Sequence, residues 1–265
     1  MSDSGFAKQY GSWALITGAS AGIGRTFAEV LAKKGLNLIL VARRKSLLDE
    51  LAQLLEQHHE ISTRVIVADM SDTSEVNRVI EQSADLEIGL VIPNAGIETH
   101  ELFDQQSWQQ VDSLLQINMA APTRLAHHFA GQMRQRGRGG ILFVSSIMAY
   151  MPSAYLAQYA ASKAYIQLLA EGMHKELKSS GVDVTVLAPG LTDTDMGQSV
   201  TGGLNTMFRQ PLMKPEAVVQ AGLSALGKRP VRIAGWMNRL NVFMVSRLLP
   251  RAFSTALTHK MFNKH

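Results

Sequence analysis

From Trp13 onward, short apolar runs alternate with helical patterns along the chain. Trp13-Ala14-Leu15-Ile16 and Leu38-Ile39-Leu40-Val41 are unbroken apolar runs of buried-strand length. Between them Thr26–Lys34 reads as a helix closed by Gly35. Lys45–His58 then places Leu47, Leu48, Leu51, Leu54 and Leu55 on one helical face. Further strands are predicted over Arg64–Ala68, Leu86–Ile92, Ile141–Ser145 and Val182–Ala188. Helices are predicted over Ser74–Ser83 and Ala157–Ser179, with a long helical region from Gln105 to Arg136 that divides in two. Continuous apolar strands separated by helices predict a parallel sheet covered on both faces. The opening order of strand, glycine loop and helix favours a doubly wound α/β sheet of about seven strands over a closed barrel. No repeat, linker or low-complexity segment interrupts the 265 residues, so one domain is expected.

Composition narrows the function classes. The chain is 46% hydrophobic and 18% charged, as expected of a globular protein. It has no cysteine, which excludes disulfides and thiolate metal sites and fits a reducing, cytoplasmic setting. The net charge of +4 is scattered rather than gathered in a stripe, which argues against nucleic-acid binding. Met1–Tyr10 is polar and lacks the apolar core of a signal peptide. No run approaches the ~18 apolar residues of a membrane span. The eight histidines form no ligand pattern, so no metal is expected.

Three stretches carry candidate chemistry. Tyr159 and Lys163 stand four apart and share one face of the predicted helix. An ammonium beside a phenol favours the phenolate and draws its pKa toward working pH, as general acid–base chemistry requires. Alone, such a pair is also an ordinary surface neighbourhood. Directly after the first strand comes Thr17-Gly18-Ala19-Ser20-Ala21-Gly22-Ile23-Gly24. Its glycines permit a tight turn, close approach of backbone to a pyrophosphate and close packing of helix on strand. The spacing is Gly-x-x-x-Gly-x-Gly, with no Gly-Lys-Ser/Thr of a triphosphate loop. The second strand ends in Ala42-Arg43-Arg44, where an acidic residue would favour NAD and an arginine suits a ribose 2′-phosphate. NADP(H) is therefore expected over NAD(H).

With these and four further pieces, the chain resembles the short-chain dehydrogenase/reductase family, in its compact single-domain branch, over roughly residues 11–235. The further pieces are Asp69-Met70, Asn94-Ala95-Gly96 with Asn118, Ser145-Ser146, and Pro189-Gly190-Leu191-Thr192-Asp193-Thr194. The resemblance implies hydride transfer between a nicotinamide and a carbonyl or alcohol substrate. Tyr159 would be the general acid or base, and Lys163 would lower its pKa and hold the nicotinamide ribose. Ser146, thirteen before the tyrosine, would bond the substrate oxygen, and Asn118 would hold a water in a proton relay. Asp69 would bond the adenine amino group and Met70 would add a backbone contact. Asn94, Ala95 and Gly96 would lie against the adenine ribose. Pro189 and Gly190 would shape the nicotinamide pocket, with Thr192 and Thr194 on the carboxamide and phosphates. NADP-preferring members often carry a basic residue where this chain has Ala21, so the preference rests on Arg43, with Ser20 and Arg44. Such proteins commonly form dimers or tetramers through the two helices that here contain Asn118–Arg136 and Tyr159–Ser179.

The resemblance fades beyond Thr194. A lid-like segment is expected at about 195–212, where Met196–Gln210 reads as a mobile loop. Its Met196, Val200, Leu204, Met207 and Phe208 would form an apolar underside for a hydrophobic substrate, or pack as a short helix. Pro215–Leu226 reads as a helix with proline in its first turn. The apolar and basic tail at 236–265 allows three readings: a membrane-surface helix, a subunit-contact or lid helix, and a helix docked on its own domain.

Overall fold

The computed structural model describes residues 3–203 and 211–262. The expected doubly wound α/β fold is present. Seven parallel strands form one sheet: β1 (Trp13–Thr17), β2 (Asn37–Ala42), β3 (Thr63–Val67), β4 (Ile88–Ile92), β5 (Gly139–Val144), β6 (Val182–Ala188) and β7 (Val231–Ile233). Their order is β3-β2-β1-β4-β5-β6-β7. The order reverses between β1 and β4, and in such sheets the crevice above that point takes ligands.

Helices cover both faces because both faces of the strands are apolar. On one side α2 (Gly22–Lys33), α3 (Lys45–His58) and α9 (Pro215–Ala225) bury Phe27, Leu31, Leu48, Leu51 and Val218. On the other, α4 (Thr73–Glu81), α6 (Ala121–Arg136) and α7 (Ala157–Leu177) bury Val76, Phe129, Met133, Ile166 and Ala170. Local signals set the boundaries. Asp72 caps α4 by accepting from the Ser74 amide at 2.7 Å. Ser107 and Gln110 form a capping box on α5 (Trp108–Leu115). The region read as two helices is α5 and α6 joined by a π-helical turn, Gln116–Ala120. On the outer face of α7, where a subunit contact was expected, Tyr165 and Leu168 are exposed.

Two elements escaped the sequence pattern. β7 is only three residues long. The first helix, α1 (Asp3–Tyr10), lies in a stretch read as merely polar. Its apolar face is buried Phe6 and Tyr10 with the smaller Ala7 beside them, and the Tyr10 hydroxyl donates to Asp183 at 2.9 Å. The strands' amino ends leave no room there: a Cβ on Gly89 would lie 1.3 Å from the Tyr10 carbonyl oxygen. Gly89→Ala should therefore lower unfolding free energy by roughly 3 kcal/mol, the upper end for overpacked sites. Urea denaturation checks this, and an unchanged midpoint would show that α1 is not held against β4.

Candidate active site

The turn after β1 is built around glycine. Gly18 and Gly22 have φ of +68° and +54°, the left-handed region that side chains disfavour. A Cβ on Gly24 would lie 2.2 Å from the Gly18 carbonyl oxygen, so α2 can start only this close to β1 without one. Asn94 ties the turn to β4. Its Nδ2 donates to the Thr17 carbonyl at 2.9 Å, while the amides of Asn94 and Ala95 both donate to Thr17 Oγ1 at 3.0 Å. At the N-cap of α2, Ala21 has no side chain to accept from the first helical amides. Those donors face a cavity of about 600 Å³ whose walls include Gly18, Gly22 and Ile23. A glycine cradle under an uncapped helix start fits the pyrophosphate of a dinucleotide.

Tyr159 and Lys163 line the same cavity from the first turns of α7, and both are buried. Lys163 Nζ lies 5.7 Å from the centre of the Tyr159 ring and donates to the Val144 carbonyl at 3.1 Å. Ser145 donates its hydroxyl to the Lys163 carbonyl at 2.8 Å, a structural link that leaves the cavity chemistry to Ser146. Ser146 Oγ accepts from the Met148 amide at 3.2 Å, and its hydroxyl lies beside the Tyr159 phenol. Asn118 sits behind the wall, in the π-helical turn. Its side chain accepts from the Ile97 amide at 2.9 Å and donates to the Ile97 carbonyl at 2.8 Å and to Ser162 Oγ at 3.1 Å. It thereby fixes the loop carrying Gly96, where a Cβ would come within 3.2 Å of Lys163 Nζ.

The electrostatics differ from the expectation that Lys163 draws the phenol toward neutrality. Burial pushes the Tyr159 phenol well up, the Glu98 carboxylate adds to this, and only the Ser146 hydroxyl opposes it. Burial pushes the Lys163 amine down to about 8, against the pull of Glu98. Both groups are desolvated, and burial is the leading cause of each shift. Glu98 was not anticipated, although a carboxylate two residues past Asn94-Ala95-Gly96, at a strand's carboxyl end, was a visible signal.

Of the other expected residues, Arg44, Asn94, Ala95, Pro189, Gly190, Thr192 and Thr194 line the cavity, while Thr17, Ser20 and Gly24 support it from behind. Arg44 reaches the glycine turn, donating to Ser20 Oγ at 3.0 Å. Arg43 and Asp69 are not in the cavity wall; they pair with each other at 3.6 Å on the surface. Partial burial would raise the Asp69 pKa, but bonds from Ser71 and the charge of Arg43 hold it below the usual range. Met70 is buried in the core beneath.

On the far wall, the short helix is the one of the two readings of 196–210 that is present over its described part. Asp195–Gly203 is a helix, α8, with Thr194 Oγ1 accepting from the Gly197 amide at 3.1 Å near its start. Met196 and Val200 face the cavity, whereas Leu204, Met207 and Phe208 lie outside the described residues. The tail is docked on its own chain as α10 (Trp236–Phe243), a π-helical turn and α11 (Arg251–Phe262). Thr258 Oγ1 accepts from the Ala154 amide at 3.1 Å, and the His259 ring lies 5.5 Å from that of Tyr155. Asn241, Met244, Val245, Leu257 and Met261 complete the wall, a contribution with no sequence motif to mark it. The outer side of the tail exposes Trp236, Leu240, Phe243 and Leu248. Among the described residues, no helix is long and apolar enough to cross a membrane, and no cluster of potential ligands could hold a metal.

Comparison with known proteins agrees with this geometry. Residues 12–204 match the short chain dehydrogenase family. The chain is 31% identical over 239 residues to the 7beta-hydroxysteroid dehydrogenase of Clostridium sardiniense, covering 88% of this chain and 89% of that one. It is also 31% identical over 248 residues to human inactive hydroxysteroid dehydrogenase-like protein 1, covering 92% and 74%. Among solved structures, a short-chain dehydrogenase from Sphingobium yanoikuyae in complex with NADPH superposes with a TM-score of 0.77 at 33% identity, covering 83% and 87%.

The buried amine has a consequence for stability. An unfolded lysine titrates near 10.4, whereas Lys163 titrates near 8 in the folded chain. Below pH 8 both states are protonated and the burial cost is constant. Between pH 8 and about 10.4 the unfolded chain keeps a proton that the folded chain has released, so stability contributed by this group rises with pH. Tyr159, pushed up, acts in the opposite sense only above about pH 10. Lys163→Met should remove a rise on the order of 1 kcal/mol per pH unit, read by urea unfolding at pH 8 and 9.5. Equal slopes in both proteins would show that the amine is not held in this buried setting.

Proposed function

The chain belongs to the short chain dehydrogenase family, and on that premise we propose that it is an NADP(H)-dependent oxidoreductase interconverting a hydrophobic carbonyl compound and its alcohol. One observation carries the reading: Tyr159 and Lys163, one helical turn apart, share a cavity with the glycine cradle and open start of α2. When bound there, the dinucleotide supplies or accepts the hydride. The protein positions the reacting carbon and handles the proton.

In reduction, Tyr159 gives its phenolic proton to the carbonyl oxygen, and a phenol kept protonated by burial suits that role. Ser146, beside the phenol, donates its hydroxyl hydrogen to the same oxygen, stabilising the charge that develops there. Lys163 spends one N–H on the Val144 carbonyl, which leaves two for the ribose hydroxyls. Arg44, at the rim beside Ser20, is the better placed of the two arginines to grip a 2′-phosphate. Apolar walls from Met148, Leu156, Val200 and Val245 suit a bulky, water-poor substrate.

Tyr159→Phe should retain NADPH binding while turnover of a carbonyl substrate falls roughly 10²–10⁴-fold, followed by loss of nicotinamide absorbance. Near-normal turnover in that variant would end the acid role, and a wild type that binds NADPH without reducing any carbonyl would be a nucleotide-binding relative only. Arg44→Ala should raise the NADPH dissociation constant about 10–100-fold, the range for a lost charge-assisted bond, and move NADH far less. Equal weakening of the two cofactors would remove the 2′-phosphate assignment.

A further inference from the structure

The cavity has two electrically different halves. Its cations among the described residues are Arg44 and Lys163. Arg44 is held on Ser20 at the glycine turn, and Lys163 is bonded to the Val144 carbonyl behind the phenol. The substrate half beyond Tyr159 has walls of Met148, Met151, Leu156, Met244, Val245 and Met261, none of them charged. The loop after β4 places the carboxylate of Glu98 against this space, its side chain only 11% exposed, whereas the other carboxylate of the described lining, Asp195, sits at the solvent-exposed start of α8. Its ion-pair neighbour is His100 at 3.2 Å, a full counter-ion only when protonated. The loop is fixed on both sides, by Asn118 on the Ile97 backbone and by the Glu101 amide donating to the Tyr155 carbonyl at 3.2 Å. The backbone that carries Glu98 is therefore tethered on both sides against the cavity wall.

We propose that Glu98 makes the substrate half an anion-rejecting compartment, so that this protein takes bulky apolar ketones and alcohols that carry no negative charge near the reacting carbon. A negative charge in an apolar, water-poor space repels a second one far more strongly than it would in water. Among the described residues, no side-chain cation lining that half offsets the repulsion. The same carboxylate reaches both catalytic groups electrostatically, as its influence on Tyr159 and Lys163 shows. A neutral substrate leaves that balance intact, whereas an anionic one adds an unpaired buried charge. The inference rests on the reading of the cavity as a carbonyl-substrate site.

The test uses a matched pair of polycyclic ketones, one with a free side-chain carboxylate and the other its methyl ester. Each is titrated calorimetrically into the full-length protein with saturating NADP⁺, a combination in which no hydride can transfer. The wild type should bind the ester at least tenfold more tightly than the acid, and Glu98→Gln should narrow the ratio to about threefold or less. Glu98→Asp, which keeps the charge, should preserve it. Equal affinities in the wild type, a gap that survives Glu98→Gln, or no binding of either compound would each overturn the proposal. Reduction of the ester with NADPH is measured separately. Discrimination between the two ligands without any turnover would leave the anion rejection standing and remove the enzymatic reading.

Discussion

A lysine ammonium in a protein interior is among the costliest placements available, and the site is arranged around holding one there. The end of β5 grips the helix turn that carries Lys163 from two directions. Lys163 Nζ donates to the Val144 carbonyl, and Ser145 donates back to the Lys163 carbonyl. Gly96 leaves the amine its space, and Asn118 pins the loop on which Gly96 sits. Once Lys163 is fixed, Tyr159 one turn earlier has no freedom to choose another wall. The placement of the phenol thus follows from the anchoring of its neighbour.

The two ends of the cavity are made by different physics. At the glycine turn, backbone amides and carbonyls do the work, through close approaches that tolerate no side chain at Gly18, Gly22 or Gly24. At the far end, loosely related helices contribute mainly apolar side chains, with methionine prominent among them. Methionine adapts its shape readily, so that wall sets a general preference for bulk and dryness. Glu98 stands at the seam between the two ends and gives the apolar side a sign.

What could be read from residues alone follows the same division. The strands were legible because Leu38–Val41 or Val182–Ala188 have nowhere to go but a two-sided core, and the glycine spacing marked the cofactor end. α1 was invisible because only Phe6, Tyr10 and the small Ala7 face the core from it. α8, rich in glycine, threonine and serine, read equally as loop or short helix, and Thr194 accepting from the Gly197 amide near its start marks the helix. The different placement of Arg43 and Arg44 was not accessible either. Which of two adjacent arginines faces the cavity depends on the partner each finds, Asp69 for one and Ser20 for the other.

The docking of α10 and α11 over the cavity also orders events during synthesis. The glycine turn, its Asn94 brace and α7 are synthesised by about residue 177. Thr258 and His259, which close the wall against Ala154 and Tyr155, leave the ribosome some eighty residues later. Between them come β6 and the 189–194 stretch of the lining, an interval of several seconds at ordinary rates of about 5–20 residues per second. The apolar wall is therefore the last part of the cavity that the growing chain can close.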